Sequence, residues 1–223
     1  MIKVSIIIAC YNLEKYVVRA ISSCIHQDFP RDQYEIIIVD DGSTDRSKDS
    51  ILLYKNFAGY NFIRTKFLKK NKGVAYTSNV GLRMARGKYV VRVDGDDFIH
   101  KEFLSAMSEV LEWNPDVGFV YCDLIVVRDP NVKKMQRNTF ERLLDHGAGV
   151  MFRRKYLQAI GGYNEKLRNR EDYDLILRYS KKFPGYHLRL PYYRYFKMKT
   201  GLGSKVSERE QLKKKIRKDL HKT

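Results

Sequence analysis

Cysteine is scarce. Cys10, Cys24 and Cys122 form no CxxC pair, so neither a zinc site nor a disulfide framework follows from them. Reduced core thiols in a cytoplasmic chain are the expectation. Histidine is equally thin: His26, His100, His146, His187 and His221 do not cluster, and no histidine metal ligand is inferred. Long apolar runs are missing. Ile6-Ile7-Ile8 and Ile36-Ile37-Ile38-Val39 are typical, far below the ~20 residues a membrane span needs. Met1-Ile2-Lys3 leads directly into a strand pattern, without the profile of a signal peptide. No Gly-, Ser- or Pro-rich linker divides the chain, and no internal repeat is visible. Neither a GxGxxG fingerprint nor a P-loop is present. No zinc-finger, helix-turn-helix or RNP-like pattern supports nucleic-acid binding, so no nucleic-acid partner is expected.

What is present suffices for one substantial α/β domain. The chain has 223 residues, of which 43% are hydrophobic, which argues against disorder. The formal net charge is +17 at pH 7. That fits a phosphate-bearing ligand, an anionic surface or simply many solvated lysines.

The first half alternates strand and helix. Strands are expected at Val4–Cys10, Tyr34–Asp40, Asn61–Phe67 and Tyr89–Val93, and helices at Glu14–Gln27, Asp45–Asn56 and Val74–Arg86. Ser78 and Gly81 on the inner face of the third helix suit close packing. Repeated βαβ units imply a mostly parallel sheet flanked by helices. The second half is less regular. Lys101–Trp113, Arg154–Ile160 and Glu171–Lys182 read as helices, Gly118–Val127 and Ala148–Phe152 as strands, and Arg128–Asn138 as a polar loop. The expected division is a single domain over 1–204, with a nucleotide-binding half at 1–100 and an acceptor half at 101–204. Residues 205–223 read as a basic amphipathic helix, with Leu212, Ile216 and Leu220 on one stripe. Such a helix packs on its domain or lies weakly on an anionic membrane surface.

Chemistry concentrates at strand ends. Tyr89-Val90-Val91-Arg92-Val93-Asp94-Gly95-Asp96-Asp97 runs a strand into three carboxylates around one glycine. Acids this close repel unless a cation lies between them, and oxygen ligands suit Mg²⁺ or Mn²⁺. Gly95 lets a ligand approach the backbone. An ordinary Asp-Gly turn is the plain alternative. Ala9-Cys10-Tyr11-Asn12 closes the first strand, where Tyr11 can stack on a base and Asn12 can fix the loop. Val39-Asp40-Asp41-Gly42-Ser43-Thr44-Asp45 closes the second. Thr44 or Asp45 can cap the next helix, and one further acid can accept a hydrogen bond from a base N–H. Arg170-Glu171-Asp172-Tyr173-Asp174 opens a late helix, where acids suit the dipole or supply a general base.

Together these pieces resemble the family 2 glycosyltransferases of the GT-A fold. The segments VSIIIACYN, EIIIVDDGSTD, NKGVAYTSNVGLRMARGKYVVRVDGDD, GGYNEKL and EDYDL stand in the family's order, from about Lys3 to Tyr195. The resemblance implies an inverting, metal-dependent transfer of one sugar from a nucleoside diphosphate-sugar, UDP-sugar first, to a saccharide or lipid-linked acceptor. It assigns Asp41 to the nucleotide's base, Asp94 to the ribose and Asp96 to Mn²⁺ or Mg²⁺, and makes Asp172 the catalytic base; Ala9, Tyr11, Lys72 and Gly95 complete the expected donor-binding set. Two departures stand out. Ser78-Asn79 occupies the position of a common Arg-Asn pair, which turns attention to Lys72 or Arg64 as a substitute cation. Lys197-Met198-Lys199 stands where many members carry a histidine, giving Lys197 or Lys199 a phosphate role. No QxxRW-like processive motif is present. The competing readings are a non-catalytic nucleotide-sugar-binding protein on the same fold and, from charge alone, a nucleic-acid-binding protein. The expected location is cytoplasmic, with weak peripheral contact at the inner membrane face through 205–223.

Overall fold

The computed structural model describes residues 1–57, 62–129, 132–197 and 206–220. Four parallel strands come first: β1 (Val4–Cys10), β2 (Tyr34–Asp40), β3 (Ile63–Phe67) and β4 (Tyr89–Asp94). They lie in the order β3-β2-β1-β4, so β1 sits centrally. Its isoleucines are buried on both faces: Ile6 and Ile8 point into one core, Ile7 into the other. A continuous apolar run is what a parallel strand covered on both sides requires.

The helices α1 (Val17–Ile25), α2 (Ser47–Phe57) and α3 (Val74–Met84) connect these strands. Helix α1 begins three residues later than the sequence suggests, because Glu14 is used by the loop. Its N–H donates to Asp45 Oδ2 at 3.1 Å, and its carboxylate accepts the Arg46 N–H at 3.0 Å. Helix α3 lies tightly on β1: a Cβ on Gly81 would stand 2.4 Å from Ile7 Cγ2. The expected small-residue packing is therefore real, and no larger residue fits at 81 without displacing the helix.

The second half extends the same sheet. Its elements are β5 (Phe98–Ile99), α4 (Phe103–Trp113), β6 (Phe119–Asp129), β7 (Val132–Gln136), α5 (Phe140–His146), β8 (Val150–Arg153), α6 (Arg154–Ala159), α7 (Glu171–Ser180), β9 (Gly185–Phe196) and α8 (Val206–Leu220). The antiparallel strand β8 joins β4 to β6, and β9 runs parallel to β6. The sheet is thus parallel in its first half and mixed as a whole. The expected loop over 128–138 is corrected: β7 pairs antiparallel with β6, Val126 opposite Lys134. Lysines mark an exposed edge strand, where apolar alternation is not needed and charge guards against edge-to-edge pairing. Helices α1, α2 and α4 cover one face, and α3, α5, α6, α7 and α8 the other.

The C-terminal stripe packs inward. Ile216 is 5% exposed and joins Tyr173 and Ile176 of α7, with Leu212 beside them. Arg217 Nε donates to the Tyr173 hydroxyl at 2.5 Å, and Lys213 pairs with Asp145 at 2.6 Å. Packing on the domain is therefore the arrangement found for α8; Leu220 and residues 205 and 221–223 lie outside the described side chains. No helix among the described residues is long and apolar enough to cross a membrane.

Candidate active site

The carboxyl ends of β1, β2 and β4 meet in one place, the usual location of ligands on an open α/β sheet. Ala9 O accepts the Gly95 N–H at 3.2 Å, which draws the acidic loop onto the end of β1. A Cβ at Gly95 would lie 2.8 Å from Leu13 Cδ1 and 3.1 Å from Ala9 O. The glycine is needed first for this chain-to-chain approach. Tyr11 projects at the end of β1, 43% exposed. Asn12, at φ 52°, ties the first two loops together. Its Oδ1 accepts the Thr44 N–H at 2.8 Å, and its own N–H donates to Ser43 Oγ at 2.9 Å.

The two acids after β2 divide the work. Asp40 accepts both the Ser43 N–H and the Ser43 hydroxyl and so closes its own turn. Asp41 reaches across to the turn before α3. Its two oxygens accept the N–H groups of Lys72 (2.7 Å) and Gly73 (2.8 Å). A carboxylate has about four lone-pair directions, so Asp41 retains acceptor capacity. Asp45 accepts the Ser47 N–H at 3.0 Å and is the residue that caps α2. Arg64 is corrected: it lies in a structural network, paired with Glu35 at 3.0 Å and donating to Met84 O at 2.6 Å. β3 points it away from the strand ends, which strand periodicity alone could not reveal. Lys72 stays beside Asp41, with its ammonium 5.8 Å from the Tyr76 ring. Lys197 follows β9 immediately, and Lys199 lies outside the described residues.

The three acids around Gly95 also separate by role. Asp97 is fully buried and structural, accepting the Tyr193 hydroxyl at 2.8 Å and the Phe196 N–H at 2.7 Å. It pins the end of β9 to the acidic loop. Arg19 does the same from α1, donating to Asp96 O at 2.7 Å while lying over the Phe98 and Phe196 rings. Asp96 is half-buried. Burial, and then the neighbouring Asp94 charge, push its carboxyl up to about 6. Oxygen donors on an acid that resists ionisation alone fit a hard divalent cation. Among the described residues, no three His, Cys, Asp or Glu side chains form a complete metal cage. A cation here would need oxygens from a ligand, as Mg²⁺ commonly does.

Helix α7 delivers the remaining acids. It starts after Arg170, a non-glycine residue at φ 63°, whose buried guanidinium donates to Asp145 O at 3.0 Å. That contact locks the start of α7 to the end of α5. Asp174 is structural: it pairs with Arg178 at 2.8 Å, and Arg178 also holds Ile160 O and Gly162 O. Asp172 instead points back to the sheet and meets Arg92 of β4, Nη2 to Oδ2 at 2.8 Å. The same guanidinium stands 2.8 Å from Asp94 and 3.5 Å from Glu171. Burial pushes the Asp172 carboxyl well up, and Arg92 is the largest opposing influence.

The sequence reading counted Asp97 among the three acids around Gly95 without a role of its own, and it gave no role to Arg92 or Arg168. Arg92 alternates with Val91 and Val93 along β4, and a cation inside a buried strand was the available signal. Arg168 Nη1 lies 2.7 Å from where a Cβ on Gly73 would stand, bringing an exposed guanidinium beside Lys72 and Asp41. The expected Arg-Asn substitute position reads differently too. Asn79 braces the loop before α7, donating to Tyr163 O and Glu165 and accepting the Tyr163 N–H.

The chain is similar to known proteins. Chondroitin synthase of Escherichia coli is 30% identical over 197 residues, covering 83% of this chain and 27% of that protein. The poly(ribitol-phosphate) beta-N-acetylglucosaminyltransferase TarS of Staphylococcus aureus is 37% identical over 119 residues, covering 52% of this chain and 20% of TarS. The chain therefore spans about a quarter or less of these relatives' lengths. The crystal structure of TarS 1–349 in complex with UDP superposes with a TM-score of 0.75 at 25% identity, over 88% of this chain and 61% of that one. The fold is the GT-A arrangement of a mixed sheet between helices. The sequence pattern of the family described as "Glycosyl transferase family 2" matches residues 5–186, and with that match the chain belongs to glycosyl transferase family 2.

Proposed function

We propose that this chain transfers one sugar from a nucleoside diphosphate-sugar, a UDP-sugar first, to an acceptor hydroxyl, by a single metal-assisted displacement that inverts the anomeric carbon. The observation that carries this reading is the meeting of Asp94 and Asp172 on one buried guanidinium, beside the loops that close β1 and β2. Donor-side and base-side carboxylates come from strands and helices far apart in sequence, yet share one site. Family membership and the likeness to a UDP-bound TarS structure support the same reading.

In this mechanism Tyr11 stacks on the base and Asp41 accepts a hydrogen bond from it while bracing the Lys72–Gly73 turn. Lys72 and Arg168 offer positive charge to the diphosphate, and Lys197 approaches from β9. Asp94 faces the ribose. Asp96 with diphosphate oxygens would hold Mn²⁺ or Mg²⁺, whose charge offsets that of the leaving diphosphate. Asp172 takes the acceptor proton as the hydroxyl attacks from the opposite face, a role that needs a carboxylate within hydrogen-bond reach. The acceptor class is a saccharide or a lipid-linked hydroxyl, and the domain spans 1–204 with α8 as its C-terminal brace.

A thermal-shift panel of UDP-, GDP- and dTDP-sugars with Mn²⁺ tests the donor, because a ligand that binds the folded state stabilises it, and a tighter one more at equal concentration. The expected result is a rise with UDP-sugars that is lost on chelation. No rise with any sugar nucleotide would overturn the reading.

A further inference from the structure

Three carboxylates and one guanidinium share the base side of the site. Arg92 Nε stands 2.8 Å from Asp94 Oδ1, Nη2 2.8 Å from Asp172 Oδ2, and Nη1 3.5 Å from Glu171 Oε1. No other Lys, Arg or His nitrogen among the described residues lies within 4.0 Å of these three acids. The side chains are deeply placed: 9% exposed for Arg92 and 13% for Asp172. A buried carboxylate without a cation takes up a proton, and a protonated acid cannot serve as a base.

The geometry adds a directional element. Arg92 occupies Oδ2 of Asp172. Oδ1 lies on the Gly147 side, 2.6 Å from where a Cβ at that residue would be. Any side chain at residue 147 would cover that oxygen. The other groups coupled electrostatically to Asp172 are Glu171 of its own helix, Asp94 of β4, Tyr163 of the loop before α7 and Tyr195 of β9. None of these is a cation. His146, which packs against Tyr195, is held neutral, its imidazolium form suppressed to about 4 chiefly by burial.

We propose that Arg92 is a positioning residue for transfer: its fork fixes Asp172 through Oδ2, leaves Oδ1 to face the acceptor hydroxyl, and ties this base to Asp94 on the donor side. The proposal rests on Asp172 being the base. The acceptor proton passes to Oδ1 and the acceptor oxygen bonds the anomeric carbon as the bond from that carbon to the diphosphate oxygen breaks; the nucleoside diphosphate leaves with the electron pair, and Arg92 keeps its charge throughout. A lysine cannot substitute fully, since one ammonium point charge does not span two carboxylates as a planar fork does.

The test compares the full chain with Arg92→Met, Arg92→Lys and Asp172→Asn. Release of UDP from UDP-N-acetylglucosamine and UDP-glucose is followed with Mn²⁺ across pH, and UDP affinity is measured by calorimetry. In Arg92→Met the base loses the one cation within 4.0 Å of it among the described residues, so the acidic limb of kcat moves to higher pH, by about one unit or more. At neutral pH kcat falls about 10²-fold and recovers partly as pH rises. Arg92→Lys retains a limb near the wild type but loses at least about tenfold in kcat. Both keep UDP affinity within about threefold of the wild type. A Met profile reduced equally at every pH, or unchanged, overturns the role of Arg92. If Arg92→Met does not fold, Arg92→Lys decides: wild-type kcat overturns the proposal, and lowered kcat with intact UDP binding supports it. Near-normal turnover in Asp172→Asn overturns the base assignment and this proposal together. An inactive Asp172→Asn beside an unshifted Arg92→Met limb removes only Arg92.

Discussion

Gly147 lies directly against Asp172: a methyl group at residue 147 would stand 2.4 Å from the Asp172 Cγ. Gly147 ends α5 at φ 58°, a left-handed conformation that costs an L-residue roughly 1–2 kcal/mol. Gly147→Ala therefore loses stability by about that amount and also displaces the base. The expected kinetic result is a fall in kcat of about 10²-fold with UDP affinity nearly unchanged. Wild-type kcat in a folded Gly147→Ala protein would mean that the base does not need its present place.

Asp172→Asn keeps the shape of the side chain and its contact to Arg92 but cannot accept the acceptor proton. Loss of a general base costs about 10² or more in kcat. Donor binding, read by calorimetry with UDP and Mn²⁺, stays intact. Transfer at the wild-type rate would move attention to Glu171, which also meets Arg92, rather than to Asp174, which is spent on Arg178.

Adjacent acids are expected to behave in opposite ways. Asp96→Ala abolishes Mn²⁺-dependent UDP binding and leaves the melting temperature close to the wild type, since no hydrogen bond to another residue among the described ones ties its carboxylate to the fold. Asp97→Ala strands the Tyr193 hydroxyl and the Phe196 N–H. Burying donors without partners costs about 1–3 kcal/mol each, so this protein melts several degrees lower. Paired melting curves and calorimetry separate the two; a metal-binding loss confined to Asp97→Ala would reverse the assignment.

The C-terminal helix contributes to stability through its apolar stripe. Ile216→Ala removes a buried side chain from the contact with Tyr173 and Ile176 and is expected to cost about 2–4 kcal/mol. With Leu212 and Ile216 packed inward, the full chain and a chain ending at Ser204 should sediment equally with anionic liposomes. Salt-sensitive sedimentation of the full chain alone would give the exposed lysines of α8 a lipid role.

Local order was legible because it follows from local chemistry. Val4–Cys10 and Tyr34–Asp40 read as buried strands from unbroken apolar runs, and both boundaries match β1 and β2. Asp41, Asp94, Asp96 and Asp172 stood out because acids beside glycine or at a helix start are costly or purposeful wherever they fall. The lysine-bearing edge strand β7 was read as a loop, since its pairing energy comes from β6 and not from its own pattern. Arg64 stood beside Lys72 as an alternative cation for the ligand because periodicity gives a face but not the end of the sheet at which a long side chain finishes. What the tertiary structure alone decided is the division of labour among like residues. Asp97 anchors β9 while its neighbour Asp96 stays available. Arg92, one cation among many in a chain of +17, becomes the partner of both Asp94 and Asp172. Those roles depend on which groups from β4, α7 and the Gly147 turn meet at distances below 4 Å, and on how little water reaches them. Through-space electrostatics and burial set them, and neither is written in the order of the residues.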